Sequence, residues 1–184
     1  LNRALFLPFI ALIKERLVLH NLDSDTDHRQ GRLEDRQLYF SPLSNETEDR
    51  IDTLWHDLSG GDAEPLVLRR KERDIVLPLF RNGVARASFA DLCDSALGPG
   101  DYLEIAKAVR VLVLTDIPKL SRARANEAKR FVTLIDALYE AKVRLIASAA
   151  APPEQLYTEG SGAFEFERTA SRLREMQSSD WGRD

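Results

Sequence analysis

An apolar run, VLVL at residues 111–114 of this sequence, ends at Thr115 and Asp116. An acid at the end of a buried parallel strand is the arrangement that holds Mg²⁺ and its water in phosphate-cleaving α/β folds. The catalytic form usually has a second acid directly after the first, but Ile117 stands there, and the sequence contains no Gly-x-x-x-x-Gly-Lys-Ser/Thr phosphate loop. Asp116 therefore has two interpretations: an acid of a nucleotide site, or a residue that ends a strand.

Two arginines near the end of the chain, Arg168 and Arg172, lie four residues apart and so share one face of a predicted helix. Two guanidinium groups on one face can bind a phosphate or a carboxylate in bidentate fashion. The same segment also contains three glutamates, at positions 165, 167 and 175. A solvated face of ion pairs between these glutamates and the arginines is therefore the alternative interpretation.

Other residue types give weaker indications of chemistry. Arg3 precedes the first predicted helix in an otherwise apolar stretch, where an arginine is normally a surface residue. His20, His28 and His56 show no spacing typical of metal ligands, so we predict no metal site. Cys93 is the single cysteine, which excludes an internal disulfide and a thiolate zinc cluster, and we expect a core thiol.

The composition bounds the class of protein. The chain has 184 residues, a length that suits one domain or two small ones. Hydrophobic residues make up 43% of it and charged residues 30%, enough for a packed core under a solvated surface, and its net charge is −4. Because a general nucleic-acid binder needs a basic face, we predict no nucleic-acid partner. The longest apolar run, residues 5–13, has nine residues and contains Pro8, so we predict no transmembrane segment. With no secretory signal, a reducing, cytoplasmic location is expected.

The first half of the sequence predicts a mixture of helices and strands. Apolar spacing and turn residues indicate a helix from Pro8, strands at residues 17–22 and 37–40, a helix from Ser44 to about Leu58, and strands at residues 66–70 and 74–80. Asn82-Gly83 predicts a hairpin, because both residues tolerate positive φ. Pro78 cannot donate to a ladder, so its strand is expected to be an edge strand or to contain a bulge.

The last third has a different period and predicts a parallel unit. Short helices are expected at residues 89–93 and 102–108, and a strand at residues 111–114. A long helix capped by Ser121 should bury Ala128, Phe131, Val132, Ile135, Leu138 and Tyr139. A strand at residues 143–147 completes a βαβ unit with parallel strands, and a closing helix spans residues 164–177. The predicted fold class is α/β, with this parallel unit and an antiparallel hairpin.

Four stretches carry a family resemblance: LNRALFLPFIALIKERL, FADLCDSALGPGDYLEIAKA, DIPKLSRARANEAKRFVTLIDALYEAKVRLIASAAAPPEQLY and FEFERTASRLREMQS. Through them the chain resembles the C-terminal half of the ZapE/AFG-like ATPases, a branch of the AAA+ P-loop proteins found in bacteria and mitochondria. The resemblance covers most of the chain except residues 23–85. It implies an α/β nucleoside-triphosphatase fold whose phosphate-binding loop and catalytic acids lie upstream of Leu1.

The resemblance also implies a domain division and roles for named residues. Residues 1–22 would end the ATPase core, and residues 23–184 would form a C-terminal α/β domain in which residues 110–157 look like a degenerate echo of that core. Arg3 resembles the arginine finger that reaches the γ-phosphate of a neighbouring subunit. Arg168 and Arg172 are candidates for a sensor-like or domain-locking role, and Asn126 and Arg130 belong to a matching element whose role the resemblance leaves open.

Two functions follow as hypotheses. In the first, the full-length protein is a homo-oligomeric ATPase that uses ATP and Mg²⁺, while this chain alone binds no cofactor and is inactive. In the second, the chain is an interaction module that docks the ATPase onto division-ring or membrane-associated client proteins, at a cytoplasmic or peripheral inner-membrane location. Because the sequence opens at Leu1 and runs directly into apolar residues, we expect a fragment of a longer protein, with a processed N-terminus as the alternative.

Overall fold

Six strands join into one mixed sheet in the computed structural model, which describes residues 36–70, 73–160, 162–178 and 181. In chain order the elements are β1 (Tyr39–Phe40), α1 (Asn45–Ser59), β2 (Glu64–Arg70), β3 (Arg73–Arg81), β4 (Val84–Ser88), α2 (Pro99–Ala108), β5 (Val111–Ile117), α3 (Ala125–Glu140), β6 (Arg144–Ala149) and α4 (Ala163–Glu175). A π-helical turn (Ala90–Asp94) and two 3₁₀ turns (Arg122–Arg124 and Pro153–Gln155) complete the described elements.

The sheet has the order β1-β6-β5-β4-β3-β2. β1, β6, β5 and β4 are parallel, whereas β4, β3 and β2 are antiparallel. β5 and β6 are neighbours connected through α3, as the predicted βαβ unit requires. The predicted α/β class, with a parallel unit and an antiparallel hairpin, is confirmed.

One face of the sheet is covered by α1. Ser44 begins this helix, because its Oγ accepts a hydrogen bond from the Thr47 backbone N–H at 3.2 Å, and Gly60 ends it with φ of +78°. The predicted inner stripe is buried as expected: Ile51, Leu54, Trp55 and Leu58. These side chains pack against the strand residues Val84, Val111, Val113 and Ile146, which point to this face.

The opposite face is covered by α2, α3 and α4, which pack on the alternate strand residues, among them Ala85, Leu112, Leu114 and Leu145. The predicted stripe of α3 is buried at Ala128, Phe131, Ile135 and Leu138, whereas Val132 and Tyr139 are only half-buried. Phe131 contacts Phe166 of α4 with ring centroids 6.0 Å apart, which extends the core from α3 to α4.

The hairpin between β3 and β4 turns at Asn82 and Gly83, whose φ values of +52° and +78° confirm the predicted turn chemistry. Pro78 lies in an inner strand, since β3 runs between β2 and β4. There the β2–β3 register shifts from Leu77 to Phe80, so the bulge interpretation of Pro78 is correct and the edge interpretation is wrong. The β3–β4 ladder begins only at residue 79, so none of its hydrogen bonds requires an N–H group from Pro78.

The start of α3 differs from the prediction. Its first helical residue is Ala125, and residues 122–124 form a 3₁₀ turn before it. The side chain of Ser121 makes no capping hydrogen bond, although its carbonyl accepts from the Arg124 N–H at 2.9 Å. The capping prediction for Ser121 is therefore wrong, because the chain tightens into a 3₁₀ turn before the α-helix begins.

Several predictions concern residues outside the described part of the chain. They include the helix from Pro8, the strand at residues 17–22, Arg3, His20 and His28, and the domain division at residues 22 and 23. These stay predictions. Among the described residues, none of the helices combines the length and the hydropathy that a bilayer crossing requires.

Candidate functional site

The carboxyl ends of the parallel strands form one edge of the sheet, and a cavity of about 290 Å³ opens there. α1 begins directly after β1, which brings the amino-terminal end of the helix to the same edge. The cavity is lined by Leu43, Ser44, Asn45, Thr47, Glu48, Ile51, Arg86, Thr115, Asp116 and Ser148. α/β proteins usually bind ligands at this edge of the sheet.

Asp116 lies in this cavity in the left-handed conformation, with φ of +60°. Its backbone N–H donates to the Oγ of the buried Ser148 at 3.0 Å, which ties the end of β5 to the end of β6. Its side chain is exposed, and no described side chain bonds its carboxylate. Asp116 therefore occupies the place where an acid of a nucleotide site would lie, beside the hydroxyls of Thr115 and Ser148.

The residues of this cavity do not fit a nucleoside triphosphate. The connection from β1 to α1, Ser41-Pro42-Leu43-Ser44, contains neither glycine nor lysine, and its proline has no N–H to offer a phosphate. The guanidinium of Arg86 is already bound to Asp52 at 2.5 Å. Glu48 and Asp116 add negative charge to the lining. A phosphate chain placed here would meet the carboxylates of Glu48 and Asp116, and no loop of glycine N–H donors lies among the described residues of the lining.

Arg168 and Arg172 both bind the carboxylate of Asp136 on α3. Arg168 Nη2 lies 2.7 Å from Asp136 Oδ2, and Arg172 Nη1 donates to Oδ1 of the same group. Arg172 also lies 3.0 Å from Glu140 Oε1, one helical turn further along α3. The two arginines, which could bind the carboxylate of a ligand, thus bind the carboxylate of Asp136 in the same chain. This contact joins α4 to α3.

Aromatic side chains surround the deeper of the two arginines. The guanidinium carbon of Arg172 lies 4.4 Å from the ring centroid of Tyr139, a favourable cation–π contact. The Tyr139 hydroxyl donates to Glu175 at 2.7 Å, and this hydrogen bond raises the pKa of Tyr139. Lys142 lies 4.0 Å from the ring centroid of Trp181, which itself packs on Tyr139. The cluster holds the end of the described chain against α3.

Asn126 and Arg130, which share a matching element, face different surroundings. Asn126 lines a groove of about 450 Å³ between α3 and α4, and Arg168 lines the same groove. Arg130 instead donates through Nε to the carbonyl of Cys93 at 2.5 Å and pairs with Glu127 at 3.7 Å. Of the predicted site residues, Asn126 and Arg168 therefore share this groove, whereas Arg168 and Arg172 share Asp136.

Cys93 is a buried free thiol, as the sequence predicts. Desolvation by burial raises the pKa of Cys93 to about 12, so the thiol stays protonated and weakly nucleophilic at neutral pH. Among the described residues, no cluster of three or more His, Cys, Asp or Glu side chains is placed to hold a metal ion.

Comparison with known proteins decides the family. A family model described as AFG1-like ATPase matches residues 1–183. The chain belongs to the AFG1-like ATPase family. It is 36% identical to "Cell division protein ZapE" of Escherichia coli K12 over 182 residues, which cover 98% of this chain and 48% of that relative. It is also 33% identical to "Lactation elevated protein 1 homolog B" of Danio rerio over 184 residues, 98% of this chain and 37% of that relative.

The AFG1-like chain spans about half the length, or less, of the curated relatives it matches. No solved structure gives a significant match.

A buried carboxylate, Asp101 on α2, is a feature of this AFG1-like chain that the sequence analysis missed. The side chain is fully buried, accepts from the Gly98 N–H at 2.8 Å, and lies 3.2 Å from Arg70 Nη1. Arg73 donates to its second oxygen. Asp101 therefore caps α2 and fastens the ends of β2 and β3 to it. The sequence signal was Gly-Pro followed by an acid at the third helical position, which is typical of a helix start.

We expect the lock between α3 and α4 to depend on Arg172 more than on Arg168. The Arg172 side chain is 18% exposed and that of Arg168 63%, although both bind Asp136. Replacing Arg172 with alanine should lower the free energy of unfolding by about 2 kcal/mol, since a half-buried charged hydrogen bond and a cation–π contact are lost. Arg168→Ala, the matched control, should cost less than about 1 kcal/mol.

Urea denaturation of the three proteins measures this difference. Equal losses of stability in both variants, or no loss in Arg172→Ala, would show that the contacts around Asp136 do not hold α4 in place.

Proposed function

We propose that this chain is the C-terminal part of an ATPase that binds and hydrolyses ATP with Mg²⁺ when full length. The observation that carries the proposal is the AFG1-like family match over residues 1–183, together with relatives about twice as long as the chain. The phosphate-binding loop and the paired acids would lie in the half of the relatives that this chain does not span. The parent would act as a homo-oligomer, in which neighbouring subunits complete each other's active sites.

In this proposal Arg3 is the residue of the chain that acts in catalysis. A guanidinium that reaches the γ-phosphate of a neighbouring subunit places fixed positive charge where negative charge develops during phosphoryl transfer. Arginine suits this task, because its planar group stays charged and can bind two phosphate oxygens at once. ATP turnover by the full-length protein tests the activity itself, and Arg3→Ala tests the assignment of the residue.

For Arg168 and Arg172 we propose a domain-locking role. Both guanidinium groups are bound to the carboxylate of Asp136, and this shared ion pair joins α4 to α3. A sensor-like role in nucleotide turnover is the competing assignment. It predicts that Arg168→Ala slows ATP turnover of the full-length protein while stability stays unchanged, which a lock alone does not predict.

We expect this chain on its own to show no saturable nucleotide binding. Glu48 and Asp116 place two carboxylates in the described lining of the cavity at the carboxyl edge, and Arg86 of that lining is paired with Asp52. Titration of residues 1–184 with a fluorescent ATP analogue and Mg²⁺ should give a linear, unsaturable signal up to millimolar analogue. The full-length protein, titrated in parallel, should saturate. Saturable binding by the chain alone would contradict this expectation.

A second candidate function is an interaction module that docks the ATPase onto client proteins. The observation in its favour is the outer face of the β2–β3 pair, where Val67 and Val76 are cross-strand partners and are 50% and 48% exposed. One relative is named a cell division protein, which suggests clients of the division ring or the inner membrane. A cytoplasmic or peripheral location would suit such clients.

Capture of division proteins by the immobilised chain, without nucleotide, separates the two functions. Capture that is lost in a Val67→Asp, Val76→Asp double variant would favour the module. Capture by the full-length ATPase alone, and only with ATP, would favour the first function.

A further inference from the structure

An apolar groove of about 370 Å³ lies between β1 and the amino-terminal half of α1. The buried side chains of Phe40 and Leu54 line it, and so do the longer side chains of Arg36, Gln37 and Arg50. It is separate from the cavity at the carboxyl edge, and nothing in the described part of the chain fills it. The groove therefore offers apolar surface beside β1, an edge strand of the sheet.

The edge of the sheet at this groove is also open among the described residues. β1 pairs with β6 alone, and its register directs residues 38 and 40 toward β6, so the backbone of Tyr39 points outward. The Gln37 side chain donates to the Tyr39 carbonyl at 2.8 Å, which leaves that residue's N–H available. An open edge next to an apolar groove is a favourable place for another segment to pack.

The chain itself enters the described region at this place. Arg36, the first described residue, lines the groove, so the preceding 35 residues of the chain join the described region at this groove. Those residues include LFLPFIALI, the nine-residue apolar run at positions 5–13. Only 22 residues separate Ile13 from Arg36, so docking of the run in this groove would be an intramolecular step.

We propose that this groove binds the apolar run at residues 5–13 of the same chain. The helical spacing of Phe9, Leu12 and Ile13 gives the run one apolar face of the kind that fits an apolar groove. At the rim, the carboxylate of Asp49 has no partner among the described side chains, and Lys14 follows the run directly. Docking would place opposite charges together and cover the floor of the groove.

The docking has a consequence for the ATPase that rests on the proposed function. Arg3 stands only two residues before the run, so docking would fix the position of the arginine finger relative to the C-terminal domain. That domain would then act as a positioning element for a residue that works in the neighbouring subunit. The docking itself needs neither nucleotide nor oligomer.

Disulfide crosslinking of residues 1–184 tests the docking. Thr53→Cys places a thiol in the lining of the groove, and it is combined in turn with Phe9→Cys, Leu12→Cys or Ile13→Cys. Ser171→Cys is the matched control, since Ser171 and Thr53 both lie on a helix and both donate to the carbonyl four residues earlier. The buried thiol of Cys93 stays in place, and mass spectrometry identifies the linked pairs.

We expect about tenfold more intramolecular crosslink with Thr53→Cys than with Ser171→Cys for at least one of the three positions in the run, because the tether concentrates the run at its docking site. Adding Phe9→Asp to the chain that carries both Thr53→Cys and Ile13→Cys should reduce the yield to the control level. Equal yields with Thr53→Cys and Ser171→Cys, or crosslinks between two copies, would overturn the proposal. In the full-length protein, a crosslink from Thr53→Cys to the part of the protein that precedes Leu1 would also overturn the proposal.

The outcome is independent of the proposed ATPase function. Crosslinking without any ATP turnover by the full-length protein would support the docking and refute the function. Turnover that depends on Arg3, without crosslinking, would refute the docking alone.

Discussion

Replacing Asp101 with alanine should lower the free energy of unfolding by about 3 kcal/mol, the largest stability loss expected of any single change described for this chain. The carboxylate is fully buried and binds Arg70, Arg73 and the Gly98 N–H. Its removal leaves two arginines without their shared partner and the first turn of α2 without its cap. Such a loss is a large part of the total stability of a typical domain, which is about 5–15 kcal/mol.

Two further variants separate the buried charge from simple loss of an acid. Asp74→Ala removes a half-exposed carboxylate that pairs with Arg69 at 3.4 Å on the same β2–β3 pair, and it should cost less than about 1 kcal/mol. Asp101→Asn keeps an oxygen that can cap α2 but removes the charge. Its loss of stability should therefore lie between those of Asp101→Ala and Asp74→Ala. Urea midpoints measure all three. A cost for Asp101→Ala as small as that for Asp74→Ala would contradict the anchoring role of Asp101.

Replacing Arg3 with alanine should slow ATP turnover of the full-length protein by about a thousandfold or more, the range typical of arginine fingers. The reason is that the guanidinium stabilises charge that develops in the transition state, whereas the ground-state nucleotide gains less from it. Nucleotide affinity should therefore change only a few-fold. Arg16→Ala, which removes the same group from the same stretch of sequence, is the control and should keep near-normal turnover.

Steady-state phosphate release measures turnover, and equilibrium titration measures affinity. Near-normal turnover by Arg3→Ala would remove the finger assignment. A loss of turnover caused entirely by a matching loss of affinity would make Arg3 a binding residue instead of a transition-state residue.

Elements set by local chemistry were predictable from the sequence. Ser44 caps α1, Gly60 ends it and Asn82-Gly83 forms a turn with two positive φ values, because each depends on residues only a few positions away. The parallel β5–α3–β6 unit was also predictable, since its apolar run and its helical spacing are both long. The same reasoning identified which side chains of α1 and most of those of α3 are buried.

Contacts between distant residues were not predictable. Asp136 receives Arg168 and Arg172 from 32 and 36 positions further along the chain, and Asp101 receives Arg70 from 31 positions before it. Spacing along one helix identified the two arginines as a pair but gave no information about their partner. The spacing suggested glutamates of the same helix as partners of the arginines. Packing of α4 on α3 instead brings Asp136 of α3 to both arginines.

The cavity at the carboxyl edge shows both the value and the limit of the family resemblance. Asp116 and Ser148 lie near the ends of neighbouring parallel strands there, at the edge of the sheet where α/β proteins usually bind ligands. The connection at residues 41–44, however, contains a proline and a leucine and neither glycine nor lysine. The family resemblance predicted the α/β architecture, while the described residues at this edge include no phosphate loop with glycine and lysine.

Mixing two inactive forms of the full-length protein tests whether Arg3 acts in the active site of a neighbouring subunit. One form carries Arg3→Ala, and the other lacks the lysine of its own phosphate-binding loop. Each should hydrolyse ATP at background rates alone. We predict that the mixture regains turnover, because an intact pocket in the first form can receive Arg3 from a neighbouring subunit of the second. A mixture that stays as inactive as its components, or an Arg3→Ala form that is active alone, would contradict the account.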